Sequence, residues 1–360
     1  MNKKQTPPIL EERNNYADIV RVCACVAVIV MHVTGNIGPL SLQFTHKSWW
    51  FAYIITSSTR WCVPVFVMLS GALLLPPNKN EPLALFFKKR IKRVVLPLLV
   101  WSSVYYAWRY FWHGEEINLT FICKTFIIGK PYYHLFFLFL IFGLYLITPI
   151  LKIYLRSAAS ADRKFFIFTT LLLAWIYSIL QYFIFSDRFL NSLNAVTLFI
   201  PFIGYYILGY HISIEPRKAS ISLLKLLFII CLLINILGTV LLIKAFGSDQ
   251  RFAYMLCYVA PTVILMSFLV FTMLRISGAE FLSSKPLWFQ NVCSKASRAT
   301  LGVYLIHPMI LDILGRYPGL SGYQPSLWLG IPITIIVTTV ICFVIIIIAQ
   351  RIPYANYIIG

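Results

Sequence analysis

"DIVRVCACVAVIVMH", Asp18 to His32, is the stretch on which the fold turns. Its middle is unbroken apolar sequence, yet Asp18 and Arg21 stand at one end and His32 at the other. Ionisable groups are costly to bury in lipid, so those that persist in an apolar run pair with one another or serve a function. On a helix, eleven residues at about 100° each close to within about 20° of whole turns, so Arg21 and His32 leave one face about 16 Å apart along the axis. Asp18 is placed to pair with Arg21 three residues on. Two readings stay open at this point. Arg21 marks a helix end held by Asp18 while His32 bonds to a neighbouring helix, or the two side chains serve one elongated ligand.

Working outward, the rest of the chain is equally apolar. Of 360 residues, 59% are hydrophobic and 12% charged, about half the charged share of a soluble domain. The expected fold is all-α, a polytopic integral membrane protein forming one domain over residues 1–360 with no appended soluble domain. The first apolar run begins near Tyr16 and is too long for the core of a signal peptide, so none is expected. A net charge of +19 raises the question of nucleic acid, but the basic residues gather in short loops between apolar runs, so no nucleic-acid partner is expected. The eight cysteines show no metal-ligand spacing and read as reduced apolar fillers, with no metal site.

A span needs about 20 mostly apolar residues. Ten are expected, near 16–37, 50–75, 94–113, 134–153, 165–185, 196–212, 221–243, 252–274, 299–315 and 327–349. Segment 119–129 is too short to cross. With the N-terminus inside, the inner segments hold about three times the lysine and arginine of the outer ones, which predicts an N-in, C-in topology. Lys3, Lys4, Arg13, Lys79, Arg217, Lys218 and the dense run Lys88, Lys89, Arg90, Lys92 and Arg93 fall inside, and Lys47, Lys124, Arg188 and Arg316 outside. Trp49, Trp50 and Trp112 fall near outer boundaries, where interface anchors belong.

Arg21, Arg60, Arg109 and Lys225 remain within or beside the spans. Arg109 and Lys225 lie close enough to span ends to snorkel. Arg60 opens "RWCVPVFVMLSG" (60–71), about ten residues into span two. It either meets an outer carboxylate or serves a site. Pro64 removes a backbone hydrogen bond and can kink the helix there, while Ser70 and Gly71 permit close helix approach. Arg90 and Arg93 are i, i+3 neighbours if helical. They suit either a polyphosphate or anionic lipid. "YYHLFFLFL" places His134 at the start of span four, and "YLIHP" places His307 in span nine before Pro308. Each can be a polar packing contact. His46, His113 and His211 lie in loops or at span ends and carry no functional expectation.

Taken together, these residues resemble the acyltransferase-3 family of membrane O-acyltransferases over essentially the whole chain. The resemblance is carried by Arg21-x10-His32 preceded by Asp18, by Arg60-x-x-Val63-Pro64-x-Phe66 leading to Ser70-Gly71, by Arg90-x-x-Arg93, and by the stretches 133–149 and 301–308. Within the family, the likeness is to the stand-alone type that O-acetylates enterobacterial common antigen. The resemblance implies acetyl-CoA as acyl donor and a carbohydrate hydroxyl, free or lipid-linked, as acceptor, in a bacterial inner membrane. On this reading Arg21, Arg90 and Arg93 hold donor phosphates. His32 is the general base, for which an imidazole with a pKa near about 6.5 is suited. Arg60 stabilises the thioester oxyanion or holds the pocket open. Asp18, Ser70, His134 and His307 support. Rival readings are transfer of another acyl group such as succinyl, transfer to a secreted glycan or peptidoglycan, export of a glycan or anion, and a non-catalytic sensor. A transporter needs positive charge but not a base on the face of Arg21, which sets the first reading apart.

Overall fold

The computed structural model describes residues 8–35, 47–76, 81–184, 194–215, 219–247, 250–317, 320 and 326–359. His46, Lys3, Lys4, Lys79, Arg188, Arg217 and Lys218 lie outside the described residues, as does the Arg13 side chain. Among the described residues there is no strand. In chain order the α-helices are α1 (Pro8–Gly35), α2 (Lys47–Thr59), α3 (Cys62–Leu74), α4 (Leu83–Arg90), α5 (Leu96–His113), α6 (Leu119–Ile127), α7 (Phe136–Ser157), α8 (Ser160–Ile179), α9 (Ile203–Ile214), α10 (Ile221–Phe246), α11 (Pro261–Ser283), α12 (Leu287–Leu314), α13 (Leu327–Ala349) and α14 (Asn356–Ile359).

Seven helical segments are long and apolar enough to cross a membrane: Tyr16–Gly35, Lys47–Leu74, Phe136–Ser157, Ser160–Ile184, Ile221–Phe246, Arg251–Ser283 and Leu327–Ala349. The other three expected spans are helical as well. Of these, α9 is short. Helix α12 starts well before residue 299 and so takes in the polar stretch Gln290–Arg298. Helix α5 carries Arg109 and ends at Gly114, whose φ of 69° closes the helix in the left-handed region. The expected short segment 119–129 is the nine-residue α6, capped at its start by the Asn118 side chain.

The chain forms two compact units, Met1–Leu69 with Arg217–Ala349, and Ser70–Pro216 with Gln350–Gly360. In the first, the contacts fix helix directions. Pairs Arg21–Ser297, Cys25–Thr300 and His32–His307 advance together, so α1 and α12 run parallel. Pairs Thr34–Thr56 and Met31–Arg60 advance oppositely, so the Lys47–Leu74 segment runs antiparallel to α1. Ile19–Gly278 and Met31–Tyr258 set the Arg251–Ser283 segment antiparallel to α1 as well. Spans one and nine, both odd, share a direction, and even spans two and eight oppose it, as the expected order of crossings requires. A buried polar cluster ties the unit together, with Asn235 donating to the Met255 carbonyl at 2.6 Å and to Thr262 at 3.0 Å. Each partner satisfies a group that lipid would leave bare.

The second unit obeys the same alternation. Gly143–Phe199 and Thr148–Tyr206 (2.9 Å) set α7 and α9 parallel. Thr170–Gly204 and Arg163–Glu215 (2.9 Å) set α8 antiparallel to α9. Gly71 has the close-approach role its size suggested, since a Cβ there would overlap the Tyr206 carbonyl.

One interface expectation is corrected. Trp49 is 7% exposed and stacks on Tyr53 at 4.9 Å between ring centroids, so it is core and not a lipid-interface anchor. Arg109 reaches past the end of α5, where Glu115 takes its Nε at 2.8 Å and the Pro131 carbonyl takes Nη1 at 3.3 Å. Lys225 is exposed, as a snorkelling lysine should be.

Candidate active site

The first unit brings together two ends of one helix pair. At one end, Arg21 Nη1 donates to Asp18 Oδ1 and to Ser297 Oγ, both at 3.3 Å, and Ser297 donates to Asp18 Oδ1 at 2.6 Å. The Asp18–Arg21 pair is therefore real, and its third member comes from α12. Ser297 fixes the carboxylate, so Arg21 is held at a defined point of α1 with its guanidinium only partly covered.

At the other end, the His32 and His307 rings lie 5.1 Å apart between centroids, tilted by 32°. His307 is fully buried. Its Nδ1 lies 2.7 Å from the Tyr304 carbonyl. A carbonyl only accepts, so neutral His307 carries its proton on Nδ1 and a lone pair on Nε2. The sequence explains why that carbonyl is available. Pro308 sits inside α12 and lacks the N–H that would otherwise bond the carbonyl four residues earlier, which is that of Tyr304. The dipeptide His307-Pro308 thus frees an acceptor and claims it.

The same device operates on span two. Helix α2 stops at Thr59 and α3 starts at Cys62, with a turn at Arg60–Trp61. Pro64 has no N–H for the Arg60 carbonyl four residues earlier, and Trp61 Nε1 caps the Ser58 carbonyl at 2.6 Å. The expected kink is thus a break that turns Arg60 toward α1. Arg60 Nη1 lies 3.6 Å from Met31 Sδ, and its guanidinium carbon lies 5.6 Å from the Tyr258 ring centroid. Among the described residues no carboxylate pairs with Arg60.

The remaining expected residues lie in the second unit. Arg90 is half-buried over the rings of Phe86 (4.7 Å) and Tyr145 (5.7 Å). Arg93 is exposed. Between them the backbone enters a π-helical turn, Ile91–Val95, whose angular step differs from that of an α-helix. His134 is fully buried within the rings of Tyr105 (4.9 Å), Tyr132 (5.8 Å) and Tyr133 (5.6 Å). Ser70 is half-buried on α3 beside Gly71.

Four residues of the first unit escaped sequence reading: Ser297, Tyr304, Met31 and Tyr258. Tyr304 was within reach, since His-Pro inside a helix points to the carbonyl four residues before the proline. Ser297 and Tyr258 carry no local signal.

The acyltransferase domain family matches residues 14–347 of this chain. A probable poly-β-1,6-N-acetyl-D-glucosamine export protein of Staphylococcus epidermidis is 24% identical over 329 residues, covering 88% of this chain and 86% of that protein. The counterpart from Staphylococcus epidermidis strain RP62A is similar to the same extent. No solved structure matches the chain. A match across nearly the whole of a multi-pass helical chain, over the helices that carry Arg21, His32, Arg60 and His307, makes this protein a member of the acyltransferase-3 family.

Proposed function

We propose that this protein transfers an acetyl group from acetyl-CoA to a hydroxyl of a cell-surface polysaccharide or its lipid-linked precursor at a bacterial plasma membrane. One observation carries the reading. Two parallel helices present a partly covered arginine, Arg21, at one end and a pair of imidazoles, His32 and His307, at the other. Eleven residues of α1 give about 16 Å between them, a separation suited to an extended pantetheine arm. Arg21 would grip donor phosphates with its planar fork. His32 would take the acceptor hydroxyl's proton. The hydroxyl oxygen then attacks the thioester carbonyl carbon, the carbon–sulfur bond breaks, and the departing thiolate recovers the proton from His32. Arg60 would stabilise the oxyanion formed on the way. The conversion leaves an acetyl ester and coenzyme A. For Arg90 and Arg93 we keep an anion-binding expectation within their own unit. Arg90 rests on aromatic faces that favour a cation, and Arg93 adds an exposed charge.

The Staphylococcus epidermidis relatives, named as probable exporters of a poly-N-acetylglucosamine, support a glycan acceptor and also motivate a second reading, glycan export. The two separate on His32, because export needs no base there. The test is mass spectrometry of surface polysaccharide from cells with and without the gene. Transfer predicts an acetyl mass present only with the gene. Equal acetylation with a changed amount of surface glycan would favour export.

A further inference from the structure

Three donors converge on one sulfur atom next to His32. Met31 Sδ lies 3.6 Å from Arg60 Nη1, 3.5 Å from the Tyr258 hydroxyl and 3.9 Å from Cys62 Sγ. Met31 is 5% exposed and Cys62 is fully buried. Arg60 Nε is buried with no hydrogen-bond partner among the described residues. A thioether is a weak acceptor, whereas a guanidinium normally takes carboxylate, phosphate or carbonyl oxygens. Arg60 is half-buried, and turning the covered part of its guanidinium to a sulfur and a ring face leaves those donors weakly satisfied unless a stronger acceptor visits. Methionine has an unbranched side chain with three rotatable bonds, so it can leave that point without moving the backbone.

We infer that Met31 Sδ holds the place of the donor's thioester carbonyl oxygen, and that Tyr258 joins Arg60 as a second catalytic donor to the oxyanion formed there. The inference rests on the acyl-transfer reading above and deepens it. When the donor enters, the Met31 side chain swings aside and the thioester oxygen takes the Arg60 N–H and the Tyr258 O–H. As the acceptor oxygen bonds to the carbonyl carbon, the C=O pair moves onto that oxygen and both bonds strengthen. As the carbon–sulfur bond breaks, the pair returns. Neither Arg60 nor Tyr258 gives up its proton, so the step balances with His32 alone carrying the proton from hydroxyl to leaving thiolate. Interactions that strengthen only as charge develops are those that accelerate a reaction.

The test compares acetyl-CoA with S-ethyl-coenzyme A, a thioether that lacks the carbonyl oxygen, by calorimetry on purified protein, together with kcat for acetyl transfer. Tyr258→Phe keeps the ring against Arg60 and removes one donor. It should lower kcat by about 100-fold and shrink the preference for acetyl-CoA over the thioether. Met31→Leu removes the competing sulfur and should tighten acetyl-CoA binding several-fold. If a thermal melt shows Tyr258→Phe to be unfolded, 3,5-difluorotyrosine at position 258, a stronger donor of nearly the same size, should instead widen the preference. Unchanged kcat and preference in Tyr258→Phe, or unchanged preference with the fluorinated residue, overturns the role of Tyr258. Unchanged or weaker acetyl-CoA binding in Met31→Leu overturns the placeholder. His32→Ala runs alongside: if it transfers acetyl like wild type, the underlying reading has failed, whereas an inactive His32→Ala beside a fully active Tyr258→Phe sinks this inference alone.

Discussion

The imidazoles of His32 and His307 lie 5.1 Å apart on two helices that run in the same direction, and the His307 ring is the one whose tautomer the backbone dictates. If His32 is the base proposed above, the lone pair on His307 Nε2 would stabilise the imidazolium it becomes after taking the hydroxyl proton. On the proposed acyl-transfer reading, His307 would be a positioning residue acting through His32.

The tautomer is the first prediction. Nitrogen-15 spectra of histidine-labelled protein should show His307 protonated on Nδ1 in the wild type. Pro308→Ala restores an N–H that competes for the Tyr304 carbonyl, so the signal should move toward a mixture of tautomers. His307→Gln retains an acceptor oxygen near the Nε2 position and should transfer acetyl better than His307→Ala, by about 10-fold or more of the 10²–10⁴ range of proton-transfer catalysis. Equal rates for the two variants would reduce His307 to packing.

Arg21 and Ser297 give the second. Arg21→Lys keeps the charge and loses the planar fork, so coenzyme A affinity should fall while the acceptor still binds. Ser297→Ala unties Asp18, leaving its carboxylate free to draw Arg21 closer, and should weaken coenzyme A binding to a lesser degree. Titration of coenzyme A into each variant checks both. Wild-type affinity in Arg21→Lys would return Arg21 to the role of a helix-end charge held by Asp18.

The third concerns packing. Gly71→Ala forces a methyl into the Tyr206 carbonyl, whereas a Cβ at Gly35 meets nothing within 4 Å. In detergent, Gly71→Ala should cost about 1–3 kcal/mol, the usual range for overpacking, and Gly35→Ala should melt like wild type. The same melting temperature for both variants would remove the close helix approach at Gly71.

Much of this arrangement is legible in the amino-acid sequence. The apolar runs gave the helices, because length and composition alone decide what can span lipid. The eleven-residue step from Arg21 to His32 gave their common face, and α12 does lie along that face. Pro64 announced the break at Arg60. What stayed hidden was every partner supplied by a distant helix. Nothing near Ser297 says that it will meet Asp18, and nothing near Tyr258 says that it will meet Met31, because both meetings are products of packing. Between Arg90 and Arg93 a π-helical turn alters the step that α-helical spacing assumes. Local spacing misled at Trp49, whose aromatic neighbours turn it into the core.

Transfer of radiolabelled acetyl from acetyl-CoA to purified glycan acceptor, by wild-type and His32→Ala protein in proteoliposomes, checks whether His32 is the base for acyl transfer. Label should enter the glycan with wild type and fall by at least about 100-fold in His32→Ala, with coenzyme A affinity kept. Near wild-type transfer by His32→Ala would contradict that role.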